Sequence, residues 1–404
     1  MVRNRTPLAA AVLALTAGLL PAVGAAPASA GADRPGPVRF MTYNASLNRG
    51  AEGQLVSDLS TPGNAQAQQV AEIVQRTAPD VLLINEFDFD EQGRAVDLFR
   101  DNYLEVSQNG AAPVEYPYAF TAPSNTGIPS GHDLDNSGGP AGGPGDAYGF
   151  GFFPGQFGMV VYSRYPIDTH EVRTFQNFLW KDMPGALLPD DPATAAPADW
   201  YSPEELEDVR LSSKSHWDVP IRVGRRTVHF LVSHPTPPVF DGPEDRNGTR
   251  NHDEIRFWAD YVGGRRASYI YDDEGVRGGL RGGHFVIAGD QNSDPLDGDS
   301  IPGSAQLLLD HPKVQDQPVP ASAGAVEASA TQPGNETHQS PPQFDTADFD
   351  EPPGNLRADY VLPGRGLQIL GSGVFWPTST QPFADLIAAS DHRPVWVDVR
   401  VRRR

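Results

Sequence analysis

The segment FVIAGDQNSDPLDGDS, residues 285–300, joins a short apolar run to a cluster of side-chain oxygens. Four apolar residues followed by Gly289 are typical of a buried strand that ends at the rim of a sheet. Asp290 and Asn292 follow two residues apart and predict a catalytic site at that rim. Taken alone, the segment also fits a polar strand end that leads into an Asp-rich turn.

The same segment partly matches a calcium-binding EF-hand loop. Asp290, Asn292 and Asp294 occupy the first, third and fifth positions, where alternate oxygens would face one cation. The sixth position is Pro295, although the loop requires Gly for its sharp turn. The twelfth position is Ile301, where a bidentate Glu is required. These two mismatches exclude an EF-hand.

The N-terminus has the features of an export signal. Arg3 and Arg5 precede an uncharged apolar run that reaches Ala28–Ala30, which has the small-x-small pattern of a signal-peptidase site. An uncleaved membrane anchor is the alternative, because no further charge occurs before Asp33. The sequence therefore predicts a signal peptide in residues 1–30 and a secreted protein without a membrane span after its removal.

Composition limits the partners and the metal chemistry. The chain has 404 residues and a formal net charge of -21, which disfavours tight, metal-free binding of nucleic acid in a basic groove. It contains no cysteine, so disulfides and thiolate zinc sites are excluded and any metal ligand must be oxygen or imidazole. A hydrophobic content of 39% over this length allows one large core or two smaller ones.

Short apolar runs alternate with two segments of helical spacing. The runs that predict strands are 38–44, 80–87, 158–163, 218–223, 227–234, 284–290, 358–363 and 394–401. Residues 65–77 and 251–264 place apolar side chains at helical intervals. The pattern indicates an α/β or α+β class with a multi-stranded core.

Two segments lack both periodicities and are predicted to be long insertions, at about 121–147 and 313–356. The aromatic run YGFGFFPGQFG, residues 148–158, fits a lipid-contacting surface, a stacking platform or a loop folded over the core. The folded-back loop is favoured because Gly and Pro separate the rings and no basic residue flanks them.

Polar residues lie next to one end of nearly all of the predicted strands. They are Asn44, Glu86, His234, Asp290 with Asn292, Asp359 and the pair Asp391 and His392. Phosphoryl transfer needs a cation on the phosphate oxygens, a carboxylate that orients water, and donors for the developing charge. These residue types at one sheet edge therefore indicate phosphate chemistry.

The motifs that carry these residues resemble the endonuclease/exonuclease/phosphatase family, which has the pancreatic-deoxyribonuclease-like fold. They are TYN (42–44), PDVLLINEF (79–87), GMVVYSRYPI (158–167), VSHPTPP (232–238), AGDQN (288–292), ADYVL (358–362) and SDHRPV (390–395). The resemblance implies a four-layered α/β/β/α sandwich of two mixed, mostly antiparallel sheets flanked by helices. It also implies a single domain over residues 34–404 that contains both insertions.

The resemblance further implies a metal site. Glu86 corresponds to the principal ligand, with Asn44 and Asp391 beside it. Mg²⁺ is the expected ion, with Mn²⁺ or Ca²⁺ as substitutes. Asp88 and Asp90 follow Glu86 at period two and would enlarge this acidic site if the strand continued.

The remaining roles follow from the same resemblance. Asp290 orients or activates the attacking water, and Asn292 holds the phosphate. His392, steered by Asp359, contacts the phosphate, since the carboxylate fixes the tautomer and supports the charged ring. His234 stabilises or protonates the leaving oxygen. Without the resemblance, a histidine before proline is more often a capped turn residue.

Three further residues are candidates for substrate contact. Lys214 and His216 lie at the edge of a predicted strand, and Asp294 follows the proposed water-activating group. A lysine at a strand start is often simply solvated, and Asp often bonds its own backbone in a turn.

The sequence therefore predicts a secreted, divalent-metal-dependent hydrolase of phosphomonoesters or phosphodiesters, in which water attacks in line with the leaving oxygen. The acidic charge favours a small organic phosphate over nucleic acid as the partner. An extracellular DNase-like endonuclease, a phospholipid or sphingomyelin phosphodiesterase and a non-catalytic binding module are the alternatives. The expected state is a monomer without an obligate protein partner.

Overall fold

The computed structural model describes residues 36–139, 141–349 and 352–401, and the predicted signal peptide, residues 1–30, lies outside them. Within these ranges the strands are β1 (Val38–Leu47), β2 (Val81–Phe87), β3 (Tyr118–Phe120), β4 (Met159–Ser163), β5 (Arg173–Thr174), β6 (His216–Val223), β7 (Arg226–Ser233), β8 (Phe285–Asp290), β9 (Ala347–Asp348), β10 (Asn355–Leu356), β11 (Asp359–Pro363), β12 (Leu367–Val374) and β13 (Val395–Val401). The α-helices are α1 (Gln54–Leu59), α2 (Ala65–Thr77), α3 (Arg94–Phe99), α4 (Arg246–Val262), α5 (Gln306–Leu309) and α6 (Ala323–Ser329).

Two large sheets hold most of the strands. The first has six strands in the order β12-β13-β1-β2-β4-β3, and the second has five in the order β11-β8-β7-β6-β5. Each large sheet has one parallel pair, β1 with β2 and β7 with β8, whereas the other neighbours are antiparallel. Both are therefore mixed and mostly antiparallel, as the resemblance implies.

The two sheets pack face to face and carry helices on their outer faces. Phe40 of β1 contacts Phe230 of β7 across the interface, with ring centroids 5.3 Å apart. On the outer face of the first sheet, Leu82 packs with residues of α1, α2 and α3. On the outer face of the second, Leu231 packs in one cluster with Trp258 of α4. The predicted four-layered sandwich is confirmed.

This layering explains the sequence pattern. Central strands such as β2 and β8 are covered on both faces, so they read as continuous apolar runs instead of alternating ones. All the runs predicted as strands are strands. The helix predicted at 65–77 is α2, whose Asn64 cap accepts the Ala67 N–H at 3.0 Å. Helix α4 begins at Arg246, before the predicted start, because its first turns are polar.

The two predicted insertions differ in structure. Residues 121–147 run without an α-helix or extended strand and include a 3₁₀ turn at Pro144–Asp146. Residues 313–356 contain α6 and the two-stranded pair of β9 and β10, although the sequence suggested no regular element there. Of the helices in the described ranges, none is both long and apolar enough to cross a lipid bilayer.

Candidate active site

The predicted catalytic residues meet at one edge of the sandwich because of strand direction. The parallel pairs β1–β2 and β7–β8 bring Asn44, Glu86, His234 and Asp290 to the same ends of their sheets. Strand β11 runs antiparallel to β8 and begins with Asp359 directly opposite Asp290. Residues far apart in sequence thus become neighbours.

Asn44 links the two sheets at this edge. Its Nδ2 donates to Glu86 Oε1 at 3.0 Å within the first sheet and to Asp290 Oδ2 at 3.1 Å across the interface. Its Oδ1 accepts the backbone N–H of Ser46 at 3.2 Å. Asn44 is 1% exposed, so these bonds fix its carboxamide between the two carboxylates.

Two residues of the site have left-handed backbone conformations. Glu86 has φ +58° and Asn292 has φ +50°. For a residue such as Glu this conformation costs on the order of 1 kcal/mol and persists only where its surroundings hold it. The backbone N–H of Phe87 donates to the carbonyl of Gly158 at 3.0 Å, and that of Asn292 donates to Asp290 Oδ1 at 2.8 Å. Both turns are thereby anchored.

Asp290 is the central carboxylate of the site. It is 1% exposed, and its Oδ2 lies 3.3 Å from His234 Nε2 and 3.5 Å from His392 Nε2. Burial alone would raise its pKa, but His392, His234 and the Asn44 amide hold the pKa of Asp290 well below its usual range. The group is therefore ionised throughout the neutral range.

His392 lies between two carboxylates. Its Nδ1 is 2.8 Å from Asp359 Oδ2, which also accepts the Thr346 hydroxyl at 2.9 Å. Burial alone would lower the pKa of His392, but Asp359 and Asp290 raise it to about 10. His392 is therefore an imidazolium at neutral pH, as expected of a phosphate-contacting group. A protonated imidazole has no free lone pair, so His392 cannot coordinate a metal ion while it is charged.

Glu86, Asp391 and the Asn44 amide supply a separate set of oxygens of the kind that divalent metals bind. Asp391 is exposed, and its Oδ1 accepts a hydrogen bond from the Ser46 hydroxyl at 3.2 Å. The backbone N–H of the same Ser46 donates to Asn44. Neither Glu86 nor Asp391 forms an ion pair with a basic side chain in the described ranges. Uncompensated carboxylates with an amide oxygen are hard donors of the kind that Mg²⁺, Mn²⁺ and Ca²⁺ prefer.

His234 directly follows β7 and is 2% exposed. Its Nε2 faces Asp290, and its buried Nδ1 has no hydrogen-bond partner among the described residues. Burial and the nearby Lys214 ammonium lower the pKa of His234. One histidine of the site is thus neutral and the other charged, which separates their roles.

Lys214 is a buried ammonium without a partner. Its side chain is 6% exposed, and its Nζ forms no hydrogen bond or ion pair with any residue in the described part of the chain. Burial lowers the pKa of Lys214, whereas nearby carboxylates, with Glu254 first and Glu86 next, act against this. An unpaired buried charge is costly, so this position favours an anionic ligand.

Glu254 of α4 positions this side of the site, although no sequence pattern predicted it. Its Oε1 accepts the Ser213 N–H at 2.7 Å, beside Lys214, and its Oε2 accepts the Thr236 N–H at 2.6 Å, close to His234. The side chain is completely buried. The only signal was an acidic residue on the buried face of a predicted helix.

Two of the weaker predictions do not reach the site. His216 is 1% exposed, with Nδ1 2.6 Å from Ser212 Oγ and Nε2 2.9 Å from the Glu254 carbonyl. Burial lowers the pKa of His216 to about 4, so it is a neutral structural residue. Asp294 accepts the backbone N–H groups of Leu296 and Asp297, each within 3.0 Å, and forms a turn.

The condition under which Asp88 and Asp90 would extend the metal site is not met, because β2 ends at Phe87. Asp88 is buried and accepts backbone N–H groups from Arg49 and Phe157 at 2.7 and 3.1 Å. Asp90 accepts two backbone N–H groups at the start of α3. Both carboxylates hold loops in place.

A cavity of about 570 Å³ opens beside the catalytic groups. Glu86, Lys214 and His234 line its inner end, and parts of the 121–147 insertion and of the 148–158 aromatic run form its walls. The prediction that the aromatic run folds back over the core is wrong for Phe150 and Phe152, which are 57% and 68% exposed.

Known sequences and solved structures include proteins that resemble this chain. The sequence model of the Endonuclease/Exonuclease/phosphatase family matches residues 41–392. Similar solved structures include a family member from Beutenbergia cavernae DSM 12333 (18% identity, 91% of this chain and 72% of that chain, TM-score 0.49), truncated TDP2 from Caenorhabditis elegans (15%, 90% and 97%, 0.42) and Sphingomyelinase C from Streptomyces griseocarneus (15%, 90% and 99%, 0.40). Curated proteins give no match. The chain belongs to the endonuclease/exonuclease/phosphatase family, whose members hydrolyse phosphate esters.

Proposed function

We propose that the protein is a secreted, divalent-metal-dependent phosphoesterase that hydrolyses its ester by in-line attack of water. The observation that carries this proposal is the buried, ionised Asp290 carboxylate between His234 and His392, joined to Glu86 through Asn44. Phosphoester hydrolysis requires three kinds of group: a carboxylate that orients the water, a charged donor that binds the phosphate, and oxygens that bind a cation.

Glu86 and Asp391, with the second lone pair of the Asn44 oxygen, would hold the metal. A divalent cation bound there supplies positive charge to the phosphate oxygens. Asn44 donates to both Glu86 and Asp290. The proposed metal ligand Glu86 therefore lies next to Asp290, the carboxylate that would orient the water.

The protein's own groups perform the remaining steps. Asp290 orients the water and accepts a hydrogen bond from it, since its low pKa keeps it ionised. His392 donates from its charged ring to a phosphate oxygen, and Asp359 keeps the ring oriented. Lys214 offers its free ammonium to a second phosphate oxygen. His234 acts at the leaving oxygen.

The net charge of -21 favours a small organic phosphate as the substrate. The test is hydrolysis of p-nitrophenyl phosphate, bis-p-nitrophenyl phosphate and plasmid DNA by the purified protein, with Mg²⁺, Mn²⁺, Ca²⁺ or excess chelator. We expect turnover of a small ester that stops in chelator and returns with metal. Full activity in chelator would exclude the metal mechanism, and metal-dependent nicking without small-ester turnover would identify a nuclease.

A further inference from the structure

The cavity beside the active site is continuous with the catalytic groups. Glu86, Lys214 and His234 are among its lining residues, so a phosphate bound beside them could direct its organic substituent into the cavity. Its volume of about 570 Å³ far exceeds that of a phosphate group. This volume is in the range of about 300–1,000 Å³ that small-molecule sites occupy.

The walls of this cavity are mainly apolar. They include Leu134, Ala147, Phe157, Tyr201, Val209 and Val239. Apolar walls bind apolar groups, because a polar group that enters without a hydrogen-bond partner loses its hydration.

The arginines of the walls are already engaged. Arg210 donates from Nη1 to Asn125 Oδ1 at 2.6 Å, and Arg246 pairs with Glu244. The guanidinium of Arg250 donates to three backbone carbonyls at 2.5 to 2.8 Å. These contacts fix the three guanidinium groups in the walls, although, among the described residues, only Arg246 is paired with a carboxylate.

The 121–147 insertion encloses one side of the cavity, through Leu134 and the segment 143–147. Phe150 and Phe240 lie at the solvent end of the lining and are 57% and 88% exposed. A mainly apolar cavity with exposed phenylalanines in its lining suits an aromatic ring, which can pack against their faces.

We propose that the cavity binds a compact, apolar, ring-containing group of the substrate, so that phosphate esters of aromatic alcohols are the substrate class. The proposal rests on the phosphoesterase function proposed above and specifies its substrate. In the reaction, a P–O bond to the water oxygen forms and the P–O bond to the organic group breaks. A proton of the water ends on the released alcohol, whose oxygen lies next to His234.

The test compares 2-naphthyl with phenyl esters, both as monoesters and as methyl diesters, because the two leaving groups are chemically alike and differ in size. We expect the wild-type protein to have a kcat/KM at least about tenfold higher for the naphthyl ester in the series that it hydrolyses. Val239→Trp, which narrows the cavity at a half-buried position, should lower this ratio by about tenfold or more. Val239→Phe should lower it less.

Phe152 supplies the matched control. It is as exposed as the phenylalanines of the entrance and contacts Phe150, but it does not line the cavity. Phe152→Ser should therefore keep the wild-type ratio, whereas Phe240→Ser should lower it. A wild-type ratio near one that neither Val239 variant alters would overturn the substrate class while leaving the phosphoesterase function intact. Absence of turnover with all four esters and every metal would overturn the proposed function itself.

Discussion

Asp290 receives hydrogen bonds or ion-pair contacts from Asn44, His234 and His392 while remaining almost fully buried. Asp290→Asn conserves its size and removes its charge, so we expect kcat/KM to fall by about a hundredfold or more. Asp299→Asn is the control, because this exposed carboxylate belongs to the same segment and does not reach the site. Initial rates with the best small ester provide the measurement, and near wild-type rates for Asp290→Asn would refute the assignment.

Replacing Lys214 should raise the stability of the protein and lower its activity. Lys214→Met removes a buried ammonium that has no partner in the described ranges, so the melting temperature should rise. The same change removes a charged donor to the phosphate and should lower kcat/KM about ten- to a hundredfold. Lys181→Met, at a surface lysine paired with Glu207, should change neither quantity substantially. A variant with full activity would show that Lys214 does not contact the substrate.

Residue type and position indicated that Asn44, Glu86 and Asp290 lie at one sheet edge, and the structure brings their side chains within hydrogen-bond distance. The same reasoning failed for His216, whose buried partners come from a loop and a helix. Glu254 was missed for the converse reason. Its function depends on two backbone N–H groups brought to it only by the tertiary fold.

Among the elements, α4 positions the active-site loops through Glu254 and braces a different loop through its neighbour Asp253. Asp253 Oδ2 accepts the Trp180 indole N–H at 2.8 Å and the Leu187 N–H at 2.7 Å. Glu254→Gln and Asp253→Asn each weaken a fully buried acceptor, so each should lower the free energy of unfolding by roughly 1–3 kcal/mol.

Only Glu254→Gln should also reduce kcat, because a carboxamide has one oxygen and cannot hold both the Ser213 and Thr236 N–H groups. We expect at least about a tenfold loss with a smaller change in KM. Urea unfolding and steady-state kinetics on both variants separate the two effects. If the Glu254→Gln and Asp253→Asn variants had equal activity, Glu254 would contribute to stability alone.

Strand β6 begins with His216, and the buried imidazole of this residue should make the free energy of unfolding depend on pH. Its pKa is lowered to about 4 in the folded protein and is about 6.5 in an unfolded chain. The unfolded state therefore binds the extra proton between these values, and stability is complete above about pH 6.5 and falls as the pH decreases towards 4. The loss should reach at most about 3 kcal/mol. His216→Gln should flatten this part of the urea-unfolding profile, and an unchanged profile would contradict the assignment.

The elements that the sequence predicted best are those covered on both faces, since complete burial produces long apolar runs. Strand β12 was missed because it is an edge strand with polar and glycine positions, LQILGSGV, and is only partly buried. Helix α6 was missed because five of its seven residues are Ala, Gly or Ser, which give little periodic signal.

For the whole molecule, the export signal remains a prediction. We expect expression with the native N-terminus in a secreting host to yield extracellular protein cleaved after Ala30. Replacing Ala30 with a large charged residue, as in Ala30→Arg, should leave the signal attached. N-terminal sequencing of the secreted and cell-associated fractions provides the measurement. An intact Met1 on active extracellular protein would contradict signal cleavage.

The bridge that Asn44 makes between Glu86 and Asp290 spans two separate sheets. Each sheet on its own therefore carries only part of the proposed catalytic set. Catalytic activity therefore depends on the correct packing of the two sheets against each other. Circular dichroism of the backbone is insensitive to that packing. We therefore expect a chain in which the two sheets have separated to lose activity before it loses its strands.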